Sequence, residues 1–138
     1  SELGVDFDEK IILVGAGNLG RALLNYNKWD YVVGEITCAF DADPAKAGNV
    51  FGIDVYTLDE LEEKIPNGCR IAILTISDDV QNTVDRLIRN GITGIVDFTH
   101  QHFQVPHGVA VKAVDVVSSI QELVFTTNSM NSTTAMKQ

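Results

Sequence analysis

The sequence predicts an α/β fold in which helices cover both faces of a doubly wound, mostly parallel sheet. Short apolar runs alternate with helix-like segments along the chain, which is typical of strands joined by helical crossovers. One of these runs, residues 11–14 (IILV), has no polar break, as expected of a strand that is buried on both faces. With 138 residues, 45% of them hydrophobic, the chain is long enough for a single domain with its own core.

The first half of the chain is predicted to contain two strands and two helices. After the first strand, a helix over residues 21–28 follows from apolar side chains at helical spacing. Residues 35–40 (EITCAF) are predicted to form the second strand. Thr57 and Glu60 have the spacing of a capping box, which predicts a short acidic helix that ends at Lys64.

The second half of the chain continues the alternation. Residues 70–75 (RIAILT) are predicted to form another buried strand. Ser77 or Asp78 is the predicted N-cap of the next helix, which runs to Asn90. Gly91 is expected to end this helix, because glycine readily adopts the left-handed conformation found after many helices.

The C-terminal part is predicted to contain two more strands, at residues 95–98 and 109–114, and a last helix. Ser118 or Ser119 is the predicted cap of this helix, whose apolar pattern ends near Phe125. The residues that follow are polar and lack periodicity, so we expect a mobile tail there. The chain would then divide into an N-terminal linker, a globular domain and a tail, at residues 1–9, 10–125 and 126–138.

Charge and composition argue against several classes of function. A net charge of −9, from 10 basic and 19 acidic residues, is a poor match for phosphate backbones, so we expect this chain by itself to contact neither DNA nor an anionic membrane. No apolar run approaches the roughly 20 residues of a transmembrane helix, and the polar, acidic N-terminus is unlike a signal peptide. Cys38 and Cys69 are interpreted as reduced, buried thiols, which indicates a cytoplasmic protein.

A glycine-rich loop follows the first strand. It fits the phosphate-binding motif G-x-G-x-x-G with the residues Gly15, Ala16, Gly17, Asn18, Leu19 and Gly20. Gly15 permits the tight turn, Gly17 leaves its backbone open to a pyrophosphate, and Gly20 allows the helix to pack closely on the strand. Free N–H groups at the helix start attract the phosphates. The motif therefore predicts a Rossmann-like domain that binds a dinucleotide.

An acidic residue completes this motif at the end of the second strand. Asp41 lies about 20 residues after the loop, where a carboxylate accepts both adenosine ribose hydroxyls and repels a 2′-phosphate. We therefore predict NADH or NAD, rather than NADP, as the cofactor. Lys46 is close enough in sequence to reach the ribose or a phosphate, whereas Asp43 is interpreted as a turn cap. The adenosine half is expected beside the segment after the next strand, which consists of Thr75, Ile76 and Ser77.

The sequence contains no evident catalytic apparatus, so we predict that the chain is not an enzyme. Hydride transfer needs a substrate-binding region with an acid or base, and this chain barely completes one nucleotide-binding domain. His100, His102 and His107 lie in one stretch (THQHFQVPH), but no cysteine or carboxylate cluster completes a metal site there. We interpret this stretch as a polar loop and predict no metal. Asp97, at a strand end, is either a cap or a nicotinamide contact.

Several segments taken together resemble one family, the redox-sensing transcriptional repressor Rex. Between Lys10 and Phe125 they are VGAGNLGRALLNY, AFDADPAKAG, DVYTLDELEE, IAILTISDDVQNTVDRLIRNGITGIVDF and VPHGVAVKAVDVVSSIQELVF, in the order of the family. The resemblance implies that this chain is the C-terminal, NADH/NAD-sensing half of a repressor. It also implies that NADH binding releases the full-length protein from DNA, through a winged-helix domain that this sequence lacks.

The resemblance further implies an oligomeric state and contacts to the nicotinamide. Rex proteins are dimers that exchange a C-terminal helix, so we expect a homodimer in which Phe125 covers the nicotinamide ring. Tyr26 and Asp115 match family residues in the region that responds to the redox state of that ring. The sequence departs from the family pattern at residues 76–79 (ISDD) and 97–100 (DFTH).

Two other classes of nucleotide-binding protein remain as alternatives, as does an oligomerisation domain that has lost its ligand. A CoA-binding domain like that of acyl-CoA synthetase subunits shares the architecture, but CoA carries a 3′-phosphate that the carboxylate of Asp41 would repel. An NAD-binding fragment of a dehydrogenase also fits the motif, although no acid–base pair is evident beyond the histidine loop. A titration with NADH, NAD, NADPH and CoA separates these hypotheses.

Overall fold

A seven-stranded sheet organises the protein, in the order β3-β4-β2-β1-β5-β6-β7. The structure, a computed structural model, describes residues 9–26 and 34–137. Most of the predicted linker lies outside these residues. The first helix, predicted over residues 21–28, begins earlier, at Asn18, and ends earlier, at Asn25. The strands are β1 (Glu9–Val14), β2 (Gly34–Asp41), β3 (Gly48–Val50), β4 (Ile53–Thr57), β5 (Ile71–Leu74), β6 (Gly94–Asp97) and β7 (Ala110–Ala113). The helices are α1 (Asn18–Asn25), α2 (Leu61–Lys64), α3 (Val80–Arg89) and α4 (Val116–Lys137).

The central position of β1 confirms the predicted doubly wound fold. β1 pairs in parallel with β2 on one side and with β5 on the other, so the chain leaves the centre of the sheet in both directions. Its side chains alternate between two apolar clusters: Ile12 belongs to one and Leu13 to the other. Ile12 pairs with the buried Cys38 of β2, as expected of a thiol in the neighbouring strand. Burial on both faces explains why this run has no polar residue.

A hairpin at the edge of the sheet was not predicted. β3 and β4 run antiparallel and join at a tight turn in which the Gly52 N–H donates to the Asn49 side-chain oxygen over 3.1 Å. β4 then pairs in parallel with β2, so the hairpin extends the sheet beyond the second predicted strand. The predicted capping box follows β4 and is confirmed, because the Thr57 N–H donates to Glu60 Oε2 over 3.1 Å.

Helix α3 begins later than the sequence analysis predicted. The prediction that Ser77 or Asp78 caps it is wrong, because Asp79 is the N-cap and adopts a left-handed backbone conformation with φ of 54°. Asp79 makes no side-chain capping bond to the helix backbone, so the hydrogen-bonding pattern that identifies a cap in sequence is missing. The helix ends at Arg89, and Gly91 follows with φ of 97°, as predicted.

Helix α4 is longer than predicted. The prediction that the chain leaves the helix after Phe125 is wrong, since α4 continues to Lys137. Ser, Thr and Asn have low helix propensity, but propensity is a weak prior, and extending an existing helix gains one hydrogen bond per residue. Its cap was also misassigned: the carboxylate of Asp115, rather than a serine, accepts from the Ser118 N–H over 3.0 Å. No helix in the described part of the chain is long and apolar enough to cross a membrane.

Candidate functional site

A cleft of about 280 Å³ opens where β1, β2 and β5 end. These strands are parallel neighbours at the centre of the sheet, where the order in which the chain adds strands reverses. Ligands of open α/β sheets bind at such points. Six predicted site residues line the cleft: Gly15, Gly17, Asp41, Thr75, Ile76 and Ser77. The lining residues that the sequence analysis did not assign to the site are Ala42, Leu58, Asp78, Asp79 and Thr83. Asp78, Asp79 and Thr83 follow β5, and their position after that strand was the available indication.

Hydrogen bonds from both neighbouring strands hold the glycine-rich loop. On the β2 side, the Gly15 N–H donates to the Phe40 carbonyl over 2.8 Å, and the Ala16 N–H donates to Asp41 Oδ2 over 2.7 Å. On the β5 side, the Thr75 hydroxyl oxygen lies 2.9 Å from the Gly15 carbonyl oxygen. The start of the loop is therefore fixed before any ligand binds, which reduces the conformational entropy that is lost on binding.

The three glycines of the motif differ in what their missing side chains allow. A Cβ at Gly20 would lie 1.9 Å from the Gly15 carbonyl oxygen, and one at Gly15 would lie 2.4 Å from the Thr75 hydroxyl oxygen. These two glycines are required by packing. Gly17 is different, because it has an ordinary φ of −75° and, apart from its two chain neighbours, no described residue has a heavy atom within 4 Å of its built Cβ. Its bare backbone borders the cleft, so the fold itself does not require glycine there.

The start of α1 is available to an anion. Gly17 is the N-cap and has no side chain to bond the first amides of the helix, and no acidic residue occupies the first turn. The first N–H groups of a helix have no acceptor within the helix and carry the positive end of its dipole. The arrangement therefore suits a phosphate group placed against Gly17.

Asp41 both shapes the loop and borders the cleft. Its Oδ2 accepts from the Ala16 N–H, and its Oδ1 accepts from the Asp43 N–H over 2.8 Å. Each carboxylate oxygen has a second lone pair, so these bonds leave capacity for ribose hydroxyls. Asp43 caps the turn that follows, as predicted, by accepting from the Ala45 N–H over 2.9 Å.

The charge of the cleft is negative. Asp41, Asp78 and Asp79 all line it, and none of the described lining residues is a lysine or an arginine. Lys46 ends the short 3₁₀ turn Pro44–Lys46, is exposed and does not line the cleft. A ligand with one bridging pyrophosphate can use the amides of α1, whereas an additional phosphate monoester would meet carboxylates without a cation.

The three residues assigned to the nicotinamide side lie outside this cleft. Tyr26 is the C-cap of α1 and is 75% exposed, and Phe125 on α4 is 73% exposed. Asp115 caps α4 by accepting a hydrogen bond from the Ser118 N–H. The hydrogen bonds from Ser118 hold the pKa of the Asp115 carboxyl below its usual value. Of the remaining loop residues, Ala16 is buried, whereas Asn18 and Leu19 are exposed on the first turn of α1.

Helix α4 presents a large apolar surface. The side chains that are more than half exposed on this helix are Val116, Val117, Ile120, Leu123, Val124, Phe125 and Met130. Large contiguous apolar surfaces on soluble domains mark sites of association. These side chains would gain free energy from burial against another apolar surface.

The histidine loop and the cysteines carry no further site. His100 has φ of 57° and its Nδ1 lies 4.0 Å from Asp115 Oδ1, while His102 and His107 are exposed. In residues 9–26 and 34–137, no three His, Cys, Asp or Glu side chains group as metal ligands would. Both cysteines are buried and free, and burial raises the pKa of the Cys38 thiol to about 12, so neither is a ready thiolate.

Comparison with known proteins assigns the domain to a family. The sequence model of the CoA-binding domain family, described as "CoA binding domain", matches residues 6–101. A redox-sensing transcriptional repressor Rex of Anoxybacillus flavithermus is 45% identical over 88% of this chain and 59% of its own length. The Rex of Halalkalibacterium halodurans is 43% identical over 84% and 56%, respectively. The chain thus spans less than two thirds of these relatives.

Solved structures agree with this similarity. The crystal structure of RSP, a Rex-family repressor, matches with a TM-score of 0.83 and 31% identity, over 99% of this chain and 67% of RSP. RSP has also been solved with beta-NADH, and with beta-NAD+ and operator DNA, and these structures match with TM-scores of 0.83 and 0.79. The agreement in fold extends through nearly all of this chain.

Proposed function

Since the chain belongs to the CoA-binding domain family and to the Rex family of repressors, we propose that it is the NADH/NAD-sensing domain of a redox-responsive transcriptional repressor. The observation that carries the proposal is the cleft, in which an open Gly17 backbone, an uncapped helix start and the carboxylate of Asp41 meet at the centre of the sheet. RSP, solved with beta-NADH, supports the same ligand class here.

The residues around the cleft fit the pyrophosphate and the adenosine half of an adenine dinucleotide. The pyrophosphate would accept hydrogen bonds from the amides that follow Gly17, where a Cβ would otherwise intrude. The adenosine ribose would donate to Asp41, and the adenosine would lie along the segment Thr75, Ile76 and Ser77. When bound, the cofactor supplies a nicotinamide whose oxidised form is cationic and whose reduced form is neutral.

The charge of the cleft favours NADH and NAD over the two phosphorylated alternatives. NADPH and CoA each carry a phosphate monoester on the ribose, close to where Asp41 would bind. With Asp78 and Asp79 also lining the cleft, and no cation among the described lining residues, that monoester would be repelled rather than paired. The CoA-binding family includes this fold, but the side chains at this site argue against CoA itself.

Sensing requires contacts that distinguish the reduced from the oxidised ring, because a ligand shifts an equilibrium only by its differential affinity. We assign these contacts to Tyr26, Asp115 and Phe125, which lie outside the cleft. In a homodimer with exchanged α4 helices, Phe125 of one protomer would cover the ring held by the other. The exposed apolar surface of α4 supports this arrangement, because it needs a covering partner.

The full-length protein would bind DNA through a winged-helix domain outside this sequence and would release it when NADH binds. A regulatory rather than enzymatic role, in the cytoplasm, is part of the proposal.

Isothermal titration of the chain with NADH, NAD, NADPH and CoA tests the proposal. NADH is expected to bind most tightly, NAD more weakly, and NADPH and CoA at least about tenfold more weakly than NADH, the ratio given by one uncompensated charge contact. Size-exclusion chromatography should show a dimer. Equal affinity for NADH and NAD would remove the sensing role, and preferential binding of CoA would favour the alternative family function.

A further inference from the structure

The Thr75 hydroxyl contacts the backbone of the glycine-rich loop. Thr75 directly follows β5, and its backbone N–H donates to the Val14 carbonyl over 2.9 Å, which continues the pairing of β5 with β1. Its hydroxyl oxygen lies 2.9 Å from the Gly15 carbonyl oxygen and 3.2 Å from that of Val14. A hydroxyl has one hydrogen to donate, so the shorter contact, to Gly15, is the principal bond.

The Gly15 carbonyl that accepts this bond also sets the position of α1. A Cβ on Gly20 would lie 1.9 Å from the Gly15 carbonyl oxygen, so the first turn of the helix rests directly on it. The same built Cβ would lie 3.3 Å from the Thr75 hydroxyl oxygen. The Thr75 hydroxyl, the Gly15 carbonyl and the Gly20 backbone are therefore in direct contact. These contacts hold the start of α1 where a pyrophosphate would bind.

The other bonds to the loop come from the opposite side. Gly15 and Ala16 donate their N–H groups towards β2, to the Phe40 carbonyl and the Asp41 carboxylate. Within the described residues, Thr75 supplies the side-chain bond that ties the loop to β5. Without it the buried Gly15 would have an unpaired carbonyl, and the loop would be tethered from β2 alone.

We propose that Thr75 is a positioning residue whose hydroxyl preorganises the glycine-rich loop for a diphosphate ligand. The inference rests on the proposed function for the identity of the ligand, but the ordering of the loop is a property of the ligand-free protein. Two substitutions separate the hydroxyl from the rest of the side chain. Thr75→Val keeps the shape and removes the hydrogen bond, and Thr75→Ser keeps the hydroxyl and removes a methyl group.

The control is Thr57→Val, which removes a hydroxyl at the end of β4. The Thr57 hydroxyl lies 3.1 Å from Glu60 Oε2 in the capping box, and Thr57 does not line the cleft. Its loss should lower the free energy of unfolding without loosening the loop. The control therefore distinguishes a general loss of stability from a specific effect at the site.

Amide hydrogen exchange of the ligand-free protein, measured by NMR, is the first readout. In Thr75→Val the Gly15 and Ala16 amides should exchange about three- to tenfold faster, the factor expected from one lost hydrogen bond. They should keep wild-type rates in Thr75→Ser and Thr57→Val. Unchanged loop exchange in Thr75→Val, or equal acceleration in Thr57→Val, would overturn the proposal.

Isothermal titration with ADP-ribose is the second readout. Thr75→Val should raise the Kd for ADP-ribose about three- to tenfold, because the loop that binds its diphosphate loses one hydrogen bond. Thr75→Ser should stay within about twofold of wild type. A Thr75→Val protein that binds ADP-ribose as wild type does would contradict the positioning role. If wild-type protein binds neither NADH nor ADP-ribose, the proposed function fails, while hydrogen exchange still decides the loop.

Discussion

Gly17 offers a test in which binding and folding separate. Gly15 and Gly20 cannot carry a Cβ without a clash with Thr75 or with the Gly15 carbonyl. Gly17 can, because its built Cβ has no described residue within 4 Å apart from its chain neighbours. A substitution there should leave the domain folded. Since Gly17 borders the cleft at the uncapped start of α1, the added methyl group should instead displace the pyrophosphate.

The expected magnitudes for Gly17→Ala follow from two known effects of glycine. Restricting the unfolded chain stabilises the protein by about 0.4–1 kcal/mol, because the native φ of −75° suits alanine. Alanine is a poorer N-cap than glycine by a similar amount, so the free energy of unfolding should change by less than about 1 kcal/mol. The loss of one charge-assisted hydrogen bond to phosphate should weaken NADH binding by about 1.5–3 kcal/mol.

Urea denaturation and isothermal titration measure these two quantities on the same preparations. The Kd for NADH should rise about tenfold to a hundredfold, while the urea midpoint stays near that of wild type and adenosine binding is retained. Gly20→Ala is the contrasting variant and should be strongly destabilised. If Gly17→Ala binds NADH with wild-type affinity, or unfolds as readily as Gly20→Ala, the assignment of Gly17 to the phosphate site is refuted.

Three further predictions concern Asp41, the residues proposed to sense the nicotinamide, and a surface ion pair. Asp41→Asn should weaken NADH binding about tenfold and narrow the preference over NADPH, measured by titration, because the amide lacks the charge that repels a 2′-phosphate. Tyr26→Phe and Phe125→Ala should narrow the NADH/NAD affinity ratio while ADP-ribose affinity stays nearly unchanged; a parallel loss for all three ligands would argue against a role in sensing. The hydrogen bond from Arg86 lowers the pKa of the Glu62 carboxyl to about 2, so the stability from this pair is present above the ordinary pKa of about 4.5 and is lost as the pH falls towards 2. In Arg86→Gln, NMR titration should find the pKa of the Glu62 carboxyl near its ordinary value. A pKa that stays as low in this variant as in the wild-type protein would contradict the pairing.

The parts of the fold that local sequence determines were predictable. The run at residues 11–14 alternates between two buried clusters, so an unbroken apolar strand could only be central. The positions of the glycine-rich loop and of Asp41 at the ends of β1 and β2 were predictable, because the apolar run of each strand ends directly before them. Thr57 and Glu60 likewise form a local capping box.

Other features depend on contacts that no local pattern records. β3 is a three-residue strand whose pairing comes from the turn before β4, and so short a run has little periodicity. The carboxylate of Asp115 caps α4, a role that the sequence analysis did not predict. This cap is compatible with the predicted contact between Asp115 and the nicotinamide, which stays a prediction. The role of Thr75 beneath the loop depends on its alignment with β1, which only the sheet register reveals.

A crystal structure of the protein with NADH bound tests the central claim most directly. We predict pyrophosphate oxygens within hydrogen-bond distance of the amides that follow Gly17, the adenosine ribose beside Asp41, and the nicotinamide near α4 of the partner protomer. A dinucleotide bound away from the ends of β1, β2 and β5, or a ribose that does not contact Asp41, would contradict the account.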